Sequence, residues 1–293
     1  MHITNCALVI KQTAFQKGGR AAHFAHMGDA TAQRILHAHD LHERTLETAR
    51  TILTKRKIPF TEISVKDSAT SVRRTLSAAD FVMTIGGDGT VLHASHFVRE
   101  AALLGVNSAP GDSVGHFCHA NGKNLKAKLQ QILSGEWQPT PLARLAVMLD
   151  EKPLPELALN DVLIAHDCPA ATTRYLIRAG HHEEEHRSSG LWVATAAGST
   201  AAIHSAGGRI LPRQSKNMQY LVRELYREPG REYQLLRGML RPGEQLHIAS
   251  KMPEAHLYID GARTKYQFPF GTRAVFQLAQ SPLSIFLAAQ KAE

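Results

Sequence analysis

Hydrophobic and polar positions follow two regimes along the chain. Over the first third, compact apolar runs at residues 5–10, 60–66, 81–85 and 103–107 have strand length. Between them lie helical patterns. Residues 30–54 carry Ile35, Leu36, Leu41, Leu46 and Ile52 near helical spacing, and residues 88–100 read as a second helix. Such βα alternation predicts a parallel sheet with ligands beyond the carboxyl ends of its strands. Residues 108–122 read as a Pro/Gly/Ser/Asp loop and 124–134 as a short helix. The pattern then changes. Segments 142–150, 160–166, 172–179, 190–196, 245–250 and 256–260 read as short strands separated by turns, which predicts a mostly β second domain. The segment from Leu283 to Leu287 reads as a last strand packing back on the first domain. The expected organisation is an α/β domain over 1–122, a β-rich domain over 123–280 and a returning strand within 281–293.

Composition narrows the function classes. The 293 residues allow one large or two ordinary domains, and 43% hydrophobic content is enough for a sizeable core. No run approaches the ~18 apolar residues of a membrane span, and the N-terminus is too short and unbasic for a secretory signal. Cys6, Cys118 and Cys168 lie far apart without metal-type spacing, so a reducing, cytoplasmic setting is expected. The net charge is +8, yet Lys and Arg are scattered among acids. Nucleic acid is therefore not an expected partner. A small polyphosphate ligand would also favour positive charge around one cleft.

The chemistry starts at Gly86-Gly87-Asp88-Gly89-Thr90, between an apolar strand and a helical run. A strand turning through glycines into a helix aims backbone N–H groups and the positive end of a helix dipole at one point. Asp88 would repel phosphate there unless it takes a proton from an attacking hydroxyl or holds Mg²⁺ through water. Its plainer role is a helix cap. A second segment, from Gly190 through Thr195, Gly198, Ser199, Thr200, Ala201, Ala202 and Ser205 to Gly208, runs from a strand into small residues. These residues either admit a ligand to the backbone or pack a helix tightly on a sheet. A third, Asn160-Asp161, opens an apolar strand and by itself suits a turn.

In this order the three segments resemble the NAD kinase family, and Asp260-Gly261 resembles its later Asp-Gly turn. The pattern Ser188-Ser189-Gly190-Leu191 with Asn160-Asp161 upstream is most similar to the branch that includes plant NADH kinases. In three places the chain departs from the commoner pattern: Ser189 stands where an acid is common, Ala202 where Tyr is usual, and Asp161 replaces Glu. The resemblance implies phosphoryl transfer to the 2′-hydroxyl of the adenosine ribose of NAD or NADH. ATP is the implied donor, inorganic polyphosphate sometimes, and Mg²⁺ travels with the nucleotide. Asp88 is then the catalytic base. Gly86, Gly87 and Gly89 permit the turn, and Thr90 offers a hydroxyl to phosphate. Asn160 and Asp161 contact the dinucleotide. Thr200, Ala201 and Ser205 line the nicotinamide–ribose pocket with Ser189 beside them, and Arg187 offers charge to a phosphate. His116 and Phe117 lie in a loop that approaches the substrate. Neutral Ser189 implies weak discrimination against NADH. The family also implies a homodimer or homotetramer.

Residues 181–186, with three His and three Glu, read as a solvated hairpin loop and not as a metal site. Two other functions share part of the pattern. A lipid kinase of the diacylglycerol type carries a similar Gly-Gly-Asp-Gly-Thr turn, and a non-catalytic dinucleotide sensor would keep the fold.

Overall fold

A computed structural model describes residues 1–18, 30–111 and 114–288. Two compact units emerge, Met1–Pro141 with Leu283–Glu293, and Leu142–Pro282.

The first unit begins with β1 (Cys6–Ile10), α1 (Ala30–Lys55), β2 (Phe60–Ser64), α2 (Ala69–Ser77), β3 (Phe81–Gly86), α3 (Asp88–Ser95) and β4 (Ala102–Asn107). It continues through β5 (Cys118–Asn121), α4 (Leu125–Ser134) and β6 (Thr140–Leu142). Every residue of β3 and β4 is buried, as expected for strands covered on both faces of a parallel sheet. The core gathers Leu8, Phe81, Met83 and Leu104 from the strands, Leu46, Ala49 and Leu53 from α1, and Leu125, Leu129 and Ile132 from α4. Because α4 packs in this core, the first unit runs to Pro141 and does not stop at the composition change near residue 122. Two other expectations are corrected. The predicted helix 88–100 ends at Ser95, and the predicted loop 108–122 contains β5.

The second unit holds β7 (Leu145–Leu149), β8 (Lys152–Pro153), β9 (Asp161–His166), β10 (Thr173–Ala179), β11 (His182–Ser188) and β12 (Gly190–Thr195). A 3₁₀ turn (Ala197–Thr200) and α5 (Ala202–Ser205) follow. Then come β13 (Met218–Arg223), β14 (Arg237–Leu240), β15 (Leu246–Ser250), β16 (Ala255–Ile259), β17 (Thr264–Gln267) and β18 (Arg273–Leu278). Two six-stranded sheets result, ordered β11-β10-β15-β18-β7-β8 and β14-β13-β12-β9-β16-β17, with antiparallel pairing throughout. Tyr175, Ile177, Ile248 and Phe276 from the first sheet and Val162, Ile164, Val193 and Leu257 from the second share one core. The last strand, β19 (Leu283–Ile285), returns to the parallel sheet, whose order is β2-β1-β3-β4-β19-β6 with β5 also on β4.

The His/Glu segment is not a loop. Residues 182–188 form edge strand β11, paired along its length with β10. His186 is fully buried, and its Nε2 pairs with Glu184 at 2.9 Å. Charged residues on the outer face of an edge strand hide its alternation.

Candidate active site

In the parallel sheet β2 lies on one side of β1 and β3 on the other. Chain order therefore reverses between β1 and β3, and a crevice is expected beyond their carboxyl ends. There β3 delivers Gly86 and Gly87, the latter capping the start of α3 in extended conformation. None of Gly86, Gly87 and Gly89 has a positive φ, so the turn does not need glycine for its backbone angles. That corrects the sequence expectation. A Cβ at Gly86 would overlap the Thr90 side chain, so glycine there admits Thr90. At Gly89 no atom of the described residues lies within 4 Å of such a Cβ.

Asp88 does more than begin a helix. Its Oδ2 accepts the His116 N–H at 2.8 Å and its Oδ1 accepts the Phe117 N–H at 2.7 Å. A carboxylate offers about four lone-pair directions, so acceptor capacity remains for a substrate hydroxyl. Phe117 is buried and His116 half-buried, and their two hydrogen bonds tie the loop before β5 to the Asp88 carboxylate.

In the second unit, Asp260 and Gly261 follow β16 with φ of 48° and 106°. This left-handed turn aims the Asp260 carboxylate at three successive N–H groups: Leu159 at 2.8 Å, Asn160 at 2.7 Å and Asp161 at 3.1 Å. From the other side Thr195 N–H donates to the Asn160 carbonyl at 2.9 Å, and Thr195 Oγ1 donates to the Leu159 carbonyl at 2.5 Å. Gly198 N–H then donates to Thr195 Oγ1 at 3.0 Å. The Asn160 side-chain carbonyl oxygen is buried and has no hydrogen-bond partner among the described residues. A buried acceptor left open in this way suits a ligand donor. The Asp161 carboxyl, only 5% exposed, is pushed up from 3.8 to about 7 by burial first and by the Asp260 charge second.

The small-residue segment divides. A Cβ at Gly198 would overlap the Asn160 backbone, so Gly198 serves close packing and not ligand approach. Ser199 is buried and accepts the Leu211 N–H at 2.9 Å. Thr200 and Ser205 are exposed and Ala201 half-buried, on the accessible side of the turn.

Arg187, in β11, and Ser189 lead into β12. Ser189 precedes β12, whereas Thr195 ends it, and Ala194 pairs with Asp161. At ~3.3 Å per residue, β12 puts about 20 Å between Ser189 and Thr195, and α5 then packs back on the same strand, with Ile203 against Ala194 and Trp192. The Ser189 carbonyl accepts from the Arg223 guanidinium at 3.4 Å. Arg187 lies 3.5 Å from Glu228.

Comparison with known proteins agrees with this layout. Residues 20–137 match the model of the ATP-NAD kinase N-terminal domain. A probable NADH kinase of Oryza sativa subsp. japonica is 34% identical over 253 residues, 79% of this chain and 77% of that protein. An NADH kinase of Arabidopsis thaliana is 33% identical over 271 residues, 85% and 84% of the two chains. In fold, the chain is similar to an Archaeoglobus fulgidus NAD kinase solved with ATP, at TM-score 0.67, 20% identity and coverage of 96% and 93%. It is also similar to yeast NADH kinase solved with NADH, at TM-score 0.69, 17% identity and coverage of 99% and 85%. Nothing among these relatives favours a lipid kinase or a non-catalytic sensor. With motifs, topology and relatives in agreement over most of its length, the chain belongs to the NAD kinase family, on its NADH kinase branch.

Proposed function

We propose that this enzyme transfers the γ-phosphoryl group of ATP to the 2′-hydroxyl of the adenosine ribose of NADH and NAD. The carrying observation is Asp88, held at the head of α3 by two backbone amides beside Gly89. The ribose oxygen attacks the γ-phosphorus, the bond to the β–γ bridging oxygen breaks, and the ribose proton passes to Asp88. Base catalysis of this kind contributes roughly 10²–10⁴-fold; alignment and charge stabilisation supply the rest. Thr90, at the same turn, offers its hydroxyl to phosphate.

In the second unit Asn160 supplies an unused buried acceptor to the dinucleotide, and Asp161 lies beside it. Thr200, Ala201 and Ser205 line the nicotinamide–ribose end. Mg²⁺ enters on the ATP phosphates and neutralises their charge; inorganic polyphosphate is a second donor. No group of three or more His, Cys, Asp or Glu suited to a metal occurs among the described residues.

The enzyme works in the cytoplasm as a homodimer or homotetramer built through its β-rich unit. Supporting that assembly, the outer face of the β10–β15–β18–β7 sheet forms a groove of about 640 Å³ lined by Met148, Leu176, His247 and Val275, with Arg178, Arg273, Asp150 and Glu183 around it. Charges of both signs suit a self-complementary interface. The deciding experiment incubates purified protein with ATP and either NADH or NAD and measures the 2′-phosphorylated product. NADH is expected to be used at least as readily as NAD, and absence of both products refutes the reading.

A further inference from the structure

The reversal of strand order between β1 and β3 directs attention to the residue that leaves β1. Lys11 is that residue. Its N–H donates to the Ile85 carbonyl at 3.0 Å, so it stands across from Gly86 where the turn begins. A Cβ built on Gly86 would lie 3.2 Å from the Lys11 Cβ, so glycine at 86 leaves room for the lysine stem. The chain beyond Lys11 is tied to α1. Thr13 Oγ1 hydrogen-bonds His39 Nδ1 at 3.2 Å, Gln16 Nε2 donates to Glu43 at 3.1 Å, and Phe15 stacks on His39 at 4.9 Å. These ties fix the root of the lysine.

The surroundings place its charge. Cys118, at the start of β5, feels both Asp88, which raises its pKa, and Lys11, which lowers it. The cation and the carboxylate therefore both lie close enough to the start of β5 to act on it. His42, less than one turn beyond His39 on α1, is fully buried, and neither ring nitrogen has a hydrogen-bond partner among the described residues. Burial first and the Lys11 charge second lower its pKa to about 4, so it is neutral at working pH.

We propose that Lys11 is a phosphate-binding residue of this kinase, its ammonium meeting the triphosphate of ATP between the ends of β1 and β3 and stabilising the γ-phosphoryl group during transfer. A lysine serves there as a point charge on transferring phosphate. This assignment rests on the kinase reading above.

The test compares wild type, Lys11→Met and Lys11→Arg. Lys11→Met should lower kcat/KM for ATP about 10- to 100-fold while KM for NADH stays within about twofold. Lys11→Arg, which keeps the charge, should recover most of the loss. NMR titration of the His42 ring supplies a fold check, since Lys11→Met should raise its pKa without other change. ATP binding without dinucleotide, measured by calorimetry, should weaken in Lys11→Met by the same factor. Unchanged ATP kinetics and binding overturn the assignment. A KM increase confined to NADH also overturns it, because the charge would then meet the dinucleotide. A wild type that phosphorylates neither NADH nor NAD refutes the kinase reading instead, and Lys11-dependent ATP binding remains measurable in that case.

Discussion

Asp161→Asn separates stability from function in one residue. Asp161 is almost fully buried, and its carboxyl rises from 3.8 to about 7 because burial and the neighbouring Asp260 charge both oppose ionisation. The folded-state pKa lies above the unfolded one, so the folded chain binds this proton more tightly. Wild-type stability from this group is therefore fully present below about pH 4 and is lost as pH rises through about 7. A shift of about three units at 1.36 kcal/mol each corresponds to about 4 kcal/mol. Asparagine carries no charge, and its amide can donate toward the Asp260 carboxylate. Urea unfolding of the β-rich unit at pH 4, 5, 6, 7 and 8 tests this. The two proteins should match near pH 4, and the variant should be more stable by about 4 kcal/mol at pH 8. The same variant should have a higher KM for NADH, because the altered group adjoins the proposed dinucleotide site at Asn160. A stability difference independent of pH would refute the electrostatic argument.

Three further outcomes follow from the geometry. Asp88→Asn should lower turnover by about two to four orders of magnitude. It is not a silent replacement, because His116 and Phe117 donate to different oxygens of Asp88 and the amide NH2 that replaces one of them cannot accept; thermal unfolding should show a loss of about 1–3 kcal/mol, and near-normal turnover would leave Asp88 a loop anchor only. Gly198→Ala should destabilise the protein through its clash with Asn160, whereas Gly89→Ala should change stability by less than about 0.5 kcal/mol while raising KM for ATP; equal Tm values for the two variants would contradict the packing argument. Ser189→Asp should shift the kcat/KM ratio toward NAD by about fivefold, since a carboxylate near the oxidised ring contributes ~1 kcal/mol. An unchanged ratio would refute the electrostatic argument for Ser189.

Much of this protein is legible along the chain because its signals are local. The buried runs of β3 and β4, the apolar stripe of α1 and each of the three motifs are patterns confined to one short stretch of chain. The edge strands were harder. In β11 the buried partners are His186 and Ser188, so no apolar alternation marks it, and β17 offers only Tyr266 to the core. Pairing with β10 and β16 makes them strands.

Tertiary structure alone decided the roles inside the site. Gly89 and Gly198 look alike as letters, yet a Cβ on the first would meet none of the described residues and a Cβ on the second would meet the Asn160 backbone. Lys11 lies far in sequence from Gly86 but stands beside it because β1 pairs with β3. Asp260 clamps residues 159–161 from across a sheet, and its charge helps raise the pKa of Asp161. The cause is common to all three. Local periodicity records which side of an element is buried, whereas neighbours distant in sequence are selected by strand pairing and burial summed over the whole chain.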